Sequence, residues 1–276
     1  MNSFLWPRLA GLVLATYAAL LTAPAGAADA SPWATDAHAS LRLIAGAALR
    51  AGIEIRLAPG WKTYWRYPGD SGVPPRFDFA GSENLKSATV AWPAPHRFVD
   101  ESGSSIGYKQ SVIFPLLIVP QDAAKPVRLH LTFDYAICEK QCIPATGEAT
   151  LALTGEASTH ATELAEAEAQ VPAPAKLGDS APLAIRAIRR EAGTNRDRIV
   201  VDVAAPSTAS VDLFAEGPNA DWALPLPEPI ARGPDGLQRF AFDLDGVPAD
   251  ANIVGANLTL TLVAGQSAIE VTTALR

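Results

Sequence analysis

Cysteine is almost absent: the chain has two, Cys138 and Cys142, in 276 residues. So few thiols exclude a disulfide framework as the source of stability, and packing must hold the fold instead. Methionine is scarcer still, with a single residue at the initiating position, so an exported mature chain would have none for a cupredoxin-like copper site. Positive charge is also in short supply. Lys and Arg number 22 against 29 Asp and Glu, a net charge of −7 with no basic block, which argues against a nucleic-acid or anionic-membrane partner. The longest apolar run, Leu9 to Leu21, has 13 residues, whereas a spanning helix needs about 20. No stable membrane insertion is expected. Gly-x-Ser-x-Gly, HExxH and P-loop patterns are missing as well, so hydrolase and nucleotide chemistry have no support.

What is present begins with an export signal. Arg8 supplies a positive start, Leu9 to Leu21 the apolar stretch, and Ala25-Gly26-Ala27 a small-residue cleavage site. Residues 1–27 are therefore expected to be removed and the mature chain to be exported. Beyond them the pattern is strand-like. Ile53, Ile55 and Leu57 alternate with Glu54 and Arg56, and Val127 to Tyr135 alternates in the same way. Ser111 to Val119 is a more continuous apolar run, which predicts a strand buried on both faces. Short strands separated by Gly, Pro, Asp and Asn turns indicate an antiparallel sandwich.

Composition changes at Ser158. Thr159 to Gln170 is rich in Ala and Glu and predicts a helix of about three turns. Val171 to Ala175, with two prolines, forces an extended passage. Alternating strands then resume from Ala184 to Thr273. The expectation is an all-β chain of two immunoglobulin-like β-sandwich domains, residues 28–155 and 181–276, joined by a helical and Pro-containing linker at 156–180. Four of the six tryptophans (Trp33, Trp61, Trp65, Trp92) and both cysteines fall in the first of these. Chemistry is expected there.

Cys138 and Cys142 enclose only Glu139-Lys140-Gln141. A bond across so short a loop contributes roughly 2 kcal/mol in the chain-entropy model, which turns attention to its chemistry. Disulfide geometry needs Cα atoms roughly 4.4–6.8 Å apart, while four residues of extended strand span about 13 Å. The chain must therefore turn here. A three-residue hairpin loop or a single helical turn would bring the thiols into range. Lys140 would favour a reactive thiolate, whereas Glu139 and Asp134 would oppose it. The four histidines, His38, His96, His130 and His160, have no ligand spacing and read as surface residues.

Three stretches stand out together: Gly60-Trp61-Lys62-Thr63-Tyr64-Trp65-Arg66 running into Tyr67-Pro68-Gly69-Asp70-Ser71-Gly72; Val90-Ala91-Trp92-Pro93-Ala94-Pro95; and Asp134 to Cys138 through Cys142-Ile143-Pro144. In this order they resemble the N-terminal periplasmic domain of the DsbD family of thiol:disulfide interchange proteins, particularly its ScsB-like branch. The resemblance covers roughly Trp33 to Gly155. It implies a thiol-disulfide oxidoreductase of the protein-disulfide reductase type, with Cys138 and Cys142 as its catalytic residues and no cofactor or metal. It also implies partners: a membrane electron-transfer protein on one side and periplasmic thioredoxin-like or disulfide-bonded proteins on the other. Family members cover their cysteines with a mobile aromatic cap loop, which points to Tyr64, Trp65 and Tyr135 as covering or partner-binding residues. The plainer reading of the tryptophans is packing, with a strand that alternates Trp61, Thr63 and Trp65 against Lys62, Tyr64 and Arg66 and so buries one face. Pro68 to Gly72 reads as a turn. Family members continue into a membrane-embedded domain and a thioredoxin-like domain, and the sequence includes neither. That leaves a second reading, an exported immunoglobulin-like adaptor or Cu(I)-handling protein with a permanent disulfide.

Overall fold

A computed structural model describes residues 28–69, 72–100, 103–193, 196–233 and 235–276. The export signal and the Asp70-Ser71 part of the expected turn lie outside the described residues. Eleven strands come first: β1 (Ala34–Thr35), β2 (Ala39–Ala45), β3 (Ala51–Leu57), β4 (Lys62–Gly69), β5 (Arg76–Asp78), β6 (Leu85–Val90), β7 (His96–Asp100), β8 (Gly103–Lys109), β9 (Ser111–Pro120), β10 (Val127–Cys138) and β11 (Cys142–Leu153). Helix α1 (Ala161–Ala169) follows. Then come β12 (Ala173–Pro174), β13 (Ala184–Glu191), β14 (Arg198–Ala204), β15 (Val211–Glu216), β16 (Glu228–Ile230), β17 (Gln238–Asp243), β18 (Asn257–Ala264) and β19 (Ser267–Ala274). The chain is all-β and immunoglobulin-like, with one helix among the described residues.

Before the helix, one sheet has the order β1-β2-β3-β9-β6 and the other β11-β10-β4-β8-β7, with β5 also on β10. After it, the orders are β12-β19-β18-β15 and β13-β14-β17-β16. Alternation places Leu41, Ile53, Ile55, Phe114, Leu129, Leu131 and Phe133 between the first two sheets, all fully or almost fully buried. Phe77 links this core, stacking on Phe133 at 4.6 Å and meeting Phe114 edge-on. Ile199, Val201, Leu213, Phe240, Leu258, Leu260 and Leu262 fill the second core.

Two sequence expectations need correcting. Strand β9 is not buried on both faces: Leu117 is 67% and Val119 37% exposed. Helix α1 covers only the start of that face, where Leu164 packs beside Ile113 and Gly52. Strand β4, expected to bury one face, is instead buried on both from Lys62 to Trp65. Its outer face is covered by the cysteine-bearing hairpin and, at Tyr64, by Gly72.

The two halves share packed surface. Phe214, Leu226 and Val263 from beyond the helix are buried in the same cluster as the first core. Arg97 of β7 donates to Asp212 and Glu228 and to the carbonyl of Pro227, each at 2.7 Å. Buried apolar side chains ringed by paired charges are the anatomy of a packed interface.

Candidate functional site

Strands β10 and β11 form one long antiparallel hairpin whose register ends at Cys138 opposite Cys142, with Glu139-Lys140-Gln141 as its loop. Opposed positions of such a ladder bring side chains together, and the two cysteines are disulfide-bonded with Cα atoms 4.2 Å apart. Of the two turns allowed by the sequence, the hairpin is the one adopted. The same geometry makes the two cysteines unequal. Cys138 is 2% exposed, whereas Cys142 and the whole loop are open to solvent.

Period-two alternation sorts the neighbours. Phe133, Tyr135 and Ile137 face the core, while Ala136 and Cys138 face outward, where they form a small cluster with Tyr64. Strand β4 supplies Tyr64, and its register is set by Lys62 opposite Cys138 and Thr63 opposite Ile137. Thr63 Oγ1 donates to the carbonyl of Ala136 at 3.0 Å, fastening the two strands. Tyr64 then leans back over the pair. Its hydroxyl lies 2.8 Å from Cys138 Sγ and 3.1 Å from Cys142 Sγ. Neither sulfur of a disulfide carries a proton, so the phenol is the donor, sharing its hydrogen between them.

Close packing holds this arrangement. A Cβ on Gly72 would stand 2.2 Å from Pro68 Cβ and 2.8 Å from Tyr64 Cδ1. Only glycine lets the chain return so tightly over the Tyr64 ring. Gly60, at φ +88°, brings the β3–β4 turn against the Glu139 side chain of the hairpin loop, where a Cβ would lie 3.2 Å from Oε1. Lys62 is 7% exposed and donates from Nζ to Ser105 Oγ at 2.8 Å. A buried ammonium on the strand facing Cys138 is a positive group that sequence reasoning overlooked. Its place two residues before Tyr64, on the same strand face, was the available signal.

The structure brings Cys138, Cys142 and Tyr64 together. It does not bring Trp65 or Tyr135 to them. Trp65 is fully buried on the opposite face, tilted against Phe214 at 5.8 Å. Tyr135 stacks on Phe133 at 4.5 Å, and burial, helped by the Asp36 carboxylate, pushes its phenol up to about 12. Both change role from cover to core because odd and even positions of a strand face opposite ways. Lys140, Glu139 and Asp134 are exposed, and Asp134 accepts from Thr146 at 2.7 Å. His38 stacks on Trp61, His130 meets Thr150, and His160 meets Glu163.

Fold and site define a class: an immunoglobulin-like domain presenting a hairpin disulfide under a tyrosine hydroxyl. Residues 30–154 match the family model described as "Thiol:disulfide interchange protein DsbD, N-terminal", so the likeness read from the sequence motifs holds over this stretch of the chain. Among solved structures, the N-terminal periplasmic domain of ScsB from Proteus mirabilis is similar in fold. It superposes with a TM-score of 0.69 at 21% identity, covering 90% of this chain and 98% of that one. No curated protein matches the sequence.

Proposed function

We propose that the chain is a periplasmic thiol-disulfide interchange protein that passes reducing equivalents from a membrane electron transporter to oxidised periplasmic partners through Cys138 and Cys142. One observation carries the reading: the two cysteines are unequal in exposure and their sulfurs share a single hydroxyl donor. A permanent staple has no use for either feature. Exchange proceeds by in-line attack of a thiolate on one sulfur of a disulfide, and the exposed Cys142 is the sulfur a partner reaches.

In the reduced protein, the Cys142 thiolate attacks a partner disulfide. A bond forms between Cys142 Sγ and one partner sulfur, and the other partner sulfur leaves as a thiolate. Cys138 then attacks Cys142 Sγ, which re-forms the internal disulfide and expels the partner as a dithiol. Two electrons have moved to the partner. Re-reduction runs the same steps in reverse, with a dithiol of the membrane transporter attacking Cys142 and Cys138 leaving. Tyr64 donates to the sulfur that departs in that step, and a charge-assisted hydrogen bond to a thiolate is stronger than one to a neutral sulfur. With Tyr64 in place and Cys138 buried, small oxidants meet only one sulfur.

Single-cysteine variants test the reading. Cys138→Ala should accumulate a mixed disulfide through Cys142 with a thioredoxin-like protein or a membrane electron carrier, visible on a non-reducing gel. Cys142→Ala should accumulate none. If neither variant captures a partner, interchange fails and the adaptor or Cu(I)-handling reading replaces it.

A further inference from the structure

Strand β4 is held unusually where it leaves the cysteines. Its ladder with β8 pairs Tyr64 with Gly107 and next Gly69 with Ser105. The four residues Trp65 to Pro68 therefore face the single residue Ile106, and regular strand pairing does not fix them. Side chains from the second half of the chain do. Trp65 packs on Phe214. The Arg66 guanidinium lies over the Trp65 ring, 4.3 Å from its centroid, and forks onto Glu216 at 2.9 Å from Nε to Oε1 and 2.7 Å from its terminal nitrogen to Oε2. It also pairs with Glu270, while the Tyr67 hydroxyl donates to the carbonyl of Leu224. Arg66 is part-buried, and a planar fork over a ring has one orientation. Three consecutive residues after Tyr64 are thus seated on β15, β19 and the Leu224 segment. The bulged stretch ends at Pro68, against which Gly72 folds back onto the Tyr64 ring.

We infer that the second half of the chain is a working part of the redox site: through Arg66 and Glu216 it clamps the bulge of β4 and so holds the Tyr64 hydroxyl on the two sulfurs. Arg66 is then a positioning residue, acting through Tyr64. The biological meaning rests on the interchange reading, but the clamp itself is measured on the protein's own thiols.

The experiment uses the full mature chain, reduced, with the apparent thiol pKa read from thiolate absorbance and the dithiol–disulfide equilibrium read against glutathione. A donor lost from a thiolate raises the thiol pKa. Arg66→Met and Glu216→Gln should each raise it by about half a unit, a roughly 3-fold change, less than removal of the hydroxyl itself. The two variants remove opposite charges, so a through-space field would shift the pKa in opposite directions, whereas a loosened clamp shifts both upward. Arg97→Met, which breaks the other paired contact between the halves, should leave the pKa where it was. In a Tyr64→Phe background the Arg66→Met shift should vanish. An unchanged pKa in folded Arg66→Met protein, opposite shifts in the two clamp variants, an equal shift in Arg97→Met, or a shift that persists without the Tyr64 hydroxyl would each overturn the inference. Should Arg66→Met fail to fold, Arg66→Lys, which keeps the charge but not the fork, takes its place. Failure to capture a partner would count against interchange and leave these readings intact.

Discussion

Replacing Tyr64 by Phe removes one oxygen and leaves the buried ring in place, so it isolates the contact on which the site reading depends. In the disulfide state the hydroxyl is shared between sulfurs at 2.8 and 3.1 Å, and neutral acceptors of that kind are worth little. After reduction the nearer sulfur, Cys138, is the one that gains, because its thiolate is 2% exposed and has little water to solvate it. A hydrogen bond to a charged group contributes about 1.5–3 kcal/mol, and 1.36 kcal/mol corresponds to one pKa unit. Tyr64→Phe should therefore raise the apparent thiol pKa by about one to two units. Measured above that pKa, the dithiol–disulfide equilibrium should move toward the disulfide by a matching tenfold or more, about 30 mV per factor of ten. The sign follows from which state loses its donor: the thiolate is destabilised, so the bond becomes harder to reduce. Absorbance titration and glutathione equilibration measure the two quantities independently. A thiol pKa that is unchanged or lowered in Tyr64→Phe, with the fold intact, would show that the hydroxyl does not serve the thiolate.

Three further outcomes are expected. Reducing the disulfide should lower the melting temperature only modestly, because a loop of three residues carries roughly 2 kcal/mol of chain entropy; collapse of the fold on reduction would mark the bond as structural and count against exchange. Limited proteolysis should cut between residues 156 and 180, and we propose that the two fragments each stay folded while co-eluting, held by Phe214, Arg66 and Arg97; a chain that resists cleavage there, or fragments that unfold, would refute the division. Asp202, 3% exposed, accepts from Arg189 and Arg239, and the Arg189 hydrogen bond chiefly holds its carboxyl below the usual range. A depressed carboxylate contributes stability that is complete above about pH 4 and is lost as pH falls through the folded value. Asp202→Asn should cost about 3 kcal/mol at neutral pH and flatten the acid limb of a stability-against-pH curve, and a variant as acid-sensitive as the parent would contradict this.

Much of the protein was decided by local sequence. Alternation in Val127 to Tyr135 and in Ile53 to Leu57 determined strands because a period of two can bury one face only in a sheet. The Ala- and Glu-rich stretch determined the helix at Ala161–Ala169, since nothing in it disfavours one. Five residues from Cys138 to Cys142 determined that the thiols meet, because a hairpin that short closes the gap unaided. Tertiary structure decided the rest. Whether Tyr64, Trp65 or Tyr135 covers the sulfurs depends on which face of β4 and β10 looks outward, and the register of Lys62 against Cys138 settles that by a pairing 76 residues apart. The burial of Lys62 and the exposure of Leu117 follow from what lies over each sheet, which no window of sequence contains. The seat of Arg66 on Glu216 and Glu270 joins residues 150 and 204 positions apart. Each of those charges alone reads as a solvated surface group, and only the packing of one sandwich on the other turns them into a clamp.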